Sequence, residues 1–186
     1  LIVQIRGTSG SGKSWVIHKF MEAVNFNPVH LKHWGKTRRR IPLYYEAYNH
    51  KLIICGNYRS VCGGCDGIGS ARKVFQLYEI LKAWYPEAVI ISEGLLLSED
   101  VKWTKEAYRR SWEPRVYFLR TTADKCINNI NFRRKEAGKE PLENELNTRA
   151  RVEVIERARL KLREQGLWTR AYSSTQTLDD MIRRLA

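Results

Sequence analysis

"LIVQIRGTSGSGKS", residues 1–14, joins an apolar run to a glycine-rich loop that closes on Gly-Lys-Ser. Residues 1–6 are apolar almost without alternation, the pattern of a strand buried on both faces of a parallel sheet. Gly7, Gly12, Lys13 and Ser14 satisfy G-x-x-x-x-G-K-[ST], and the stretch from Ser14 to Ala23 reads as a helix. Strand, loop and helix in that order are the context in which this motif carries meaning. The backbone N–H groups of Gly7, Thr8, Ser9, Gly10, Ser11 and Gly12 can curl around phosphate oxygens, and the helix start adds its positive dipole. Lys13 is then expected to reach the β- and γ-phosphates of ATP, and the Ser14 hydroxyl to ligate Mg2+.

Working outward, strand and helix patterns alternate along the chain. IPLYYEAY and KLIICGNY, residues 41–58, flank a polar Asn49–His50 turn and predict a β-hairpin. AVIIS and RVYFLR predict further buried strands, and residues 168–173 a short last one. Helices are expected after Ser70, after Ser98, after Thr122, over 143–165, and at the end with Thr177 and Asp180 as a capping pair. This alternation predicts a single α/β domain over residues 1–186: a three-layer P-loop kinase fold with a five-stranded, mainly parallel sheet. The hairpin and a helical lid over about 128–146 are expected as additions to it.

The chain has 186 residues and a formal net charge of +13, well beyond what solubility requires, which points to a polyanionic partner such as nucleic acid. Its apolar runs are too short to span a bilayer, so a soluble protein of the cytoplasm is expected. Four cysteines are too few and scattered for a disulfide framework.

Cys62 and Cys65 fall in "YRSVCGGCDGIGS", residues 58–70, where CxxC spacing admits a zinc clip, a redox pair or a backbone turn. No second CxxC or paired histidines follow at zinc spacing, and glycines rather than a helix follow the pair, so neither metal nor redox chemistry is favoured. The remaining reading is a turn whose glycines, Gly63, Gly64 and Gly67, admit a substrate close to the backbone and aim Asp66 at it. Asp66 follows one strand and Glu93 ends another, and in parallel sheets ligands bind at such carboxyl ends. Glu93 is expected at the phosphates or the metal, and Asp66 as a base taking a hydroxyl proton. Arg133 and Arg134 are candidates for arginines over the transferring phosphoryl group. Arg38, Arg39 and Arg40, followed by tyrosines, suit phosphate contact with base stacking.

The phosphate loop, then "GNYRSVCGGCD", "IISEG" and "FLRTTADKCINNINFRR", resembles the bacteriophage 5-hydroxymethyluracil DNA kinases over residues 1 to about 140. The resemblance implies a kinase using ATP and Mg2+ on the hydroxymethyl group of 5-hydroxymethyluracil in DNA, in the cytoplasm of a phage host. It implies Asp66 as base and Tyr58 and Cys62 to Cys65 as the cradle of the acceptor base. Gly67 departs from the family pattern, where a threonine commonly follows the aspartate. Two other readings stay open: a kinase of free nucleosides or nucleotides, and a non-catalytic, ATP-gated DNA-binding module.

Overall fold

The computed structural model describes residues 1–26, 30–32 (backbone), 44–59, 63–142 and 144–185. The apolar opening run forms β1 (Ile2–Arg6), buried along its whole length, and runs through the loop into α1 (Lys13–Ala23). β2 (His30–Lys32), β3 (Tyr44–Ala47) and β4 (Leu52–Cys55) follow, β3 and β4 pairing antiparallel about the turn at residues 48–51. A single 3-10 turn at Cys65–Ile68 leads into α2 (Ala71–Trp84), capped by Ser70, whose hydroxyl accepts from the Lys73 N–H. β5 (Val89–Glu93), α3 (Leu95–Ser98), α4 (Lys102–Arg109) and β6 (Pro114–Leu119) come next. α5 (Ala123–Glu136), α6 (Leu146–Glu164), β7 (Thr169–Tyr172) and α7 (Ser174–Leu185) complete the chain.

Among the described residues seven strands join one sheet in the order β2-β3-β4-β5-β1-β6-β7. The five from β4 to β7 are parallel, and the antiparallel β3 and β2 extend the β4 edge. The hairpin is therefore not an addition to a five-stranded sheet; β4 is shared, pairing with β3 on one side and β5 on the other. β1 is the middle one of the five parallel strands and is buried on both faces, with Gln4 and Arg6 sharing the face of Ile2. Val3 and Ile5 pack with Val16, Ile17 and Phe20 of α1 and Met181 of α7. Ile2 packs on the opposite face with Val74, Leu77 and Leu81 of α2 and Ala107 of α4. Val116 and Phe118 sit beside Gln4 and Arg6 in register and meet Ile155 and Leu162 of α6, which places α6 on the α2–α4 side. Helices on both faces make the three layers. Among the described residues no helix is long and apolar enough to cross a membrane.

Two helix starts differ from expectation. Ser98 does not cap α4; the Asp100 carboxylate accepts from the N–H groups of Trp103 (3.2 Å) and Thr104 (3.1 Å). Ser98 is instead buried and bonds to Gly94 O (2.9 Å) and to Gly7 (3.0 Å). α7 begins a turn earlier than Thr177. Ser173 accepts from the Gln176 N–H while Gln176 accepts from the Ser173 N–H, a reciprocal cap. Thr177 and Asp180 consequently fall inside the helix and are buried, Asp180 accepting from the Tyr117 hydroxyl at 2.8 Å. Residues 128–146 comprise the second half of α5, the connection and the start of α6.

Candidate active site

The carboxyl ends of β1, β4, β5 and β6 open onto one rim, and a cleft of about 420 Å³ lies there. Ser9 to Ser14 line it, which places the phosphate loop as its floor. Gly7 and Thr8 stand behind, their carbonyls accepting from the Lys13 ammonium at 2.9 and 3.0 Å. The Gly7 N–H donates to the Ser98 hydroxyl, so α3 buttresses the loop from the β5 side. Lys13 is buried, and burial lowers its pKa, opposed chiefly by the negative charge of Glu93 and then of Asp66. The only cation of the motif is thus held between the loop and two carboxylates.

Glu93 is buried at the end of β5, and its Oε1 accepts from the Ser14 hydroxyl at 2.8 Å. Burial raises its pKa to about 7, partly offset by Lys13 and by the Ser14 bond. A buried carboxylate and a hydroxyl in contact are hard oxygen donors of the kind Mg2+ takes, the remaining positions being filled by phosphates and water. Among the described residues there is no group of three or more His, Cys, Asp or Glu placed to hold a metal by themselves. Two such donors fit an ion whose other positions a phosphate and water fill.

The turn after β4 is fastened to this pair. Asn57 and Gly64 exchange backbone hydrogen bonds of 3.1 and 3.0 Å. The Gly63 N–H donates to the Ser14 hydroxyl at 3.3 Å. Gly64 has φ +106°, and a Cβ there would lie 2.5 Å from Glu93 Oε1. A Cβ on Gly63 would strike the Asn57 carbonyl and the Tyr58 ring at 2.4 and 2.5 Å. The sequence suggests that these glycines leave room for a substrate. In the fold they leave room for the protein's own Tyr58, Asn57 and Glu93, and only Gly67 faces open space. Asp66 follows on the 3-10 turn, exposed and lining the cleft, with Oδ1 accepting from the Leu96 N–H at 3.0 Å. That bond orients the carboxylate and leaves its second oxygen for a ligand.

Tyr58 and Cys65 are not part of the open surface. Tyr58 packs edge-on to His18 with ring centroids 5.7 Å apart, and its N–H donates to the Tyr45 hydroxyl. Cys65 is fully buried; its thiol donates to Cys55 O, and burial pushes its pKa well up. Both shape the turn from beneath instead of meeting a ligand. Of the two arginines on α5, Arg133 lines the cleft, whereas Arg134 donates to the Glu140 carbonyl beyond the helix end. Cys62 and Arg38, Arg39 and Arg40 lie outside the described residues.

Several cleft residues escape the sequence reading. Arg120 and Thr121 follow β6 and line the cleft, as does Ser173 after β7. The same strand-end rule that selects Glu93 would have selected all three. Lys125 and Asn129 line it with Arg133. Their spacing of four places them on one stripe of α5 once Thr122 fixes its start. The Asn129 amide donates to Gly10 O at 2.8 Å, tying α5 to the phosphate loop.

No protein-family model matches the chain. It is similar to a protein of Delftia phage PhiW-14 named 5-hmdU DNA kinase, 23% identical over 203 residues, covering 97% of this chain and 72% of that protein. A second similar protein, of Pseudomonas phage PaMx11, carries the same name. It is 33% identical over 138 residues, which cover 72% of this chain and 69% of that protein. With the G-x-x-x-x-G-K-S loop, two carboxylates and an arginine lining one cleft, and with this degree of identity, the chain belongs to the 5-hmdU DNA kinase family.

Proposed function

We propose that the protein transfers the γ-phosphoryl group of ATP to the hydroxymethyl oxygen of 5-hydroxymethyluracil in DNA, giving 5-phosphomethyl-deoxyuridine and ADP. The observation that supports this most is the placement of Asp66. It sits on a turn bonded to Ser14 and packed on Glu93, so acceptor and phosphate ends of the reaction share one frame. The Asp66 carboxylate takes the proton of the acceptor hydroxyl as that oxygen forms its bond to phosphorus and the bond to the leaving ADP oxygen breaks. The loop N–H groups, Lys13 and Arg133 counter the charge on the phosphoryl oxygens, and Arg133 closes over them on α5, the helix that opens the lid segment. Ser14 and Glu93 would hold Mg2+, which neutralises phosphate charge when bound.

Transfer of labelled γ-phosphate from ATP to DNA with and without 5-hydroxymethyluracil tests the reading, with Lys13→Ala as the loss control. Label is expected only in the modified DNA, with Lys13→Ala slower by about 10²–10³ or more. Label in free nucleoside but not DNA would assign a nucleoside kinase. Salt-sensitive, nucleotide-dependent DNA binding without label would assign a gated binding module.

A further inference from the structure

The sheet face that carries α2, α4 and α6 holds a second concentration of positive charge, outside the phosphate loop. Lys102, Lys105 and Arg109 stand at i, i+3 and i+7 on α4, a stripe about 10 Å long on one side of the helix. Two grooves flank it. One of about 240 Å³ lies against α2 and includes Arg72, Phe75 and Trp103; the other, about 500 Å³, lies against α6 and includes Lys161. The carboxylates in these grooves are already engaged. Arg110 holds Glu79 at 2.8 Å and Glu106 at 3.2 Å, and Arg151 holds Glu99 at 3.0 Å. Arg109 reaches Glu106 only at 3.7 Å. Among the described residues, no carboxylate pairs with Arg72, Lys102, Lys105 or Lys161 within 4.0 Å.

The direction of the helices links this face to the cleft. α2 begins directly after the turn that carries Asp66, and α4 follows Glu93 through α3, so both start at the active rim. Arg72 and Lys102, in the first turns of α2 and α4, therefore stand at the end of the α2–α4 groove that lies toward the active rim. The Lys102 ammonium lies 4.8 Å from the centre of the half-buried Trp103 ring, so cation and aromatic surface alternate along it.

We propose that the DNA strand flanking the target nucleotide runs along this α4 face, its phosphates on Lys102, Lys105 and Arg109, with Arg72 at the mouth of the cleft. The proposal rests on the DNA-kinase reading above. A 10 Å stripe matches the axial rise of about three nucleotides of one strand, and a row of cations whose neighbouring acids are neutralised suits repeated phosphate charge.

Fluorescence anisotropy of a labelled, unmodified DNA duplex, titrated at several salt concentrations, tests the surface without requiring transfer. The variant Lys102→Gln/Lys105→Gln/Arg109→Gln should bind about 10–100-fold more weakly at 0.1 M salt, and its log K–log[salt] slope should flatten by about 2–3. Lys19→Gln/Arg170→Gln, on α1 and β7, should change the slope by less than about 1. Equal slopes and affinities for the triple variant and the parent would overturn the proposal. So would a dimer that the triple substitution dissolves while DNA binding stays intact, which would give the face to a second copy. Absence of phosphoryl transfer to modified DNA, with this binding pattern present, would refute the kinase reading and leave the surface standing.

Discussion

Glu93→Gln should make the protein more stable and less active, with a stability gain that depends on pH. Glu93 ionises near 7 instead of near its ordinary 4.5 because burial penalises the charged form. Between these values the unfolded chain has lost a proton that the folded chain keeps. Folding then takes up a proton, so stability falls as pH rises from about 4.5 to 7 and levels off above. The full difference corresponds to about 3 kcal/mol at pH 8 and about 1 kcal/mol at pH 5. Glutamine has the same shape, its Oε1 can still accept from Ser14, and it carries no charge to desolvate. In metal-free buffer the variant should melt about 6–12 °C above the parent at pH 8, and about 2–4 °C above it at pH 5. Added Mg2+ with ADP should raise the parent's Tm more than the variant's, and the variant should need more Mg2+ for activity. Thermal scans at the two pH values decide the matter. A Tm difference that is the same at pH 5 and pH 8, or a variant less stable at pH 8, would refute the assignment of Glu93 as a strained, metal-awaiting carboxylate.

Four other substitutions probe the same frame. Asp66→Asn keeps the Leu96 hydrogen bond but cannot take a proton, so kcat should fall about 10²–10⁴ with ATP and DNA affinity nearly unchanged; rescue by excess Mg2+ would show the roles of Asp66 and Glu93 reversed. Gly64→Ala, at φ +106° with ψ −168°, should cost about 1–3 kcal/mol in backbone strain. Because its methyl meets Glu93, it should also raise the Mg2+ concentration for half-maximal activity, and an unchanged metal dependence would leave the turn purely structural. Arg133→Ala should lower kcat by about 10-fold or more, while Arg134→Ala should act on stability alone; equal losses of kcat would contradict the positions of the two side chains.

The strand–loop–helix order of residues 1–14 and the strands of the parallel sheet were legible because their signals are local. Residues 1–14 carry strand, loop and helix start within one continuous segment, and the apolar runs at β4, β5 and β6 need no partner to be recognised. The starts of α4 and α7 were misread for a shared reason. Ser98 and Thr177 have capping side chains, but each is drawn inward by a long-range partner or by packing, and Asp100 and Ser173 do the capping. Arg6 was invisible for the same reason. A charged residue closing an apolar strand reads as solvated, yet it is fully buried and bonds Gln4 and Thr104, with Asp100 beside it, a network that no spacing within β1 announces. β2 at the outer edge has only three residues and no run long enough to stand out.

In the CGGCD turn the sequence and the structure give the glycines different tasks. Its glycines suggested space for a ligand, and a turn of this composition does deliver Asp66 to the cleft. The structure gives the glycines another task. Gly63 offers an N–H to Ser14, Gly64 makes room for Glu93, and Glu93 accepts from Ser14, so three segments separated by up to 79 residues close on one hydroxyl. An alanine at Gly64 would push on the Glu93 carboxylate and on the Glu93 carbonyl oxygen, and Gly64 stands two residues before Asp66. The proposed base, Asp66, and the proposed metal ligands, Ser14 and Glu93, are therefore positioned by the same contacts. A change that loosens the turn should disturb acceptor and phosphate chemistry together, whereas a change to Asp66 or Glu93 alone should separate them. That distinction follows from the packing of two glycines, which sequence spacing cannot express because Gly63 makes room for Asn57 and Tyr58 and Gly64 for Glu93, the last residue of β5.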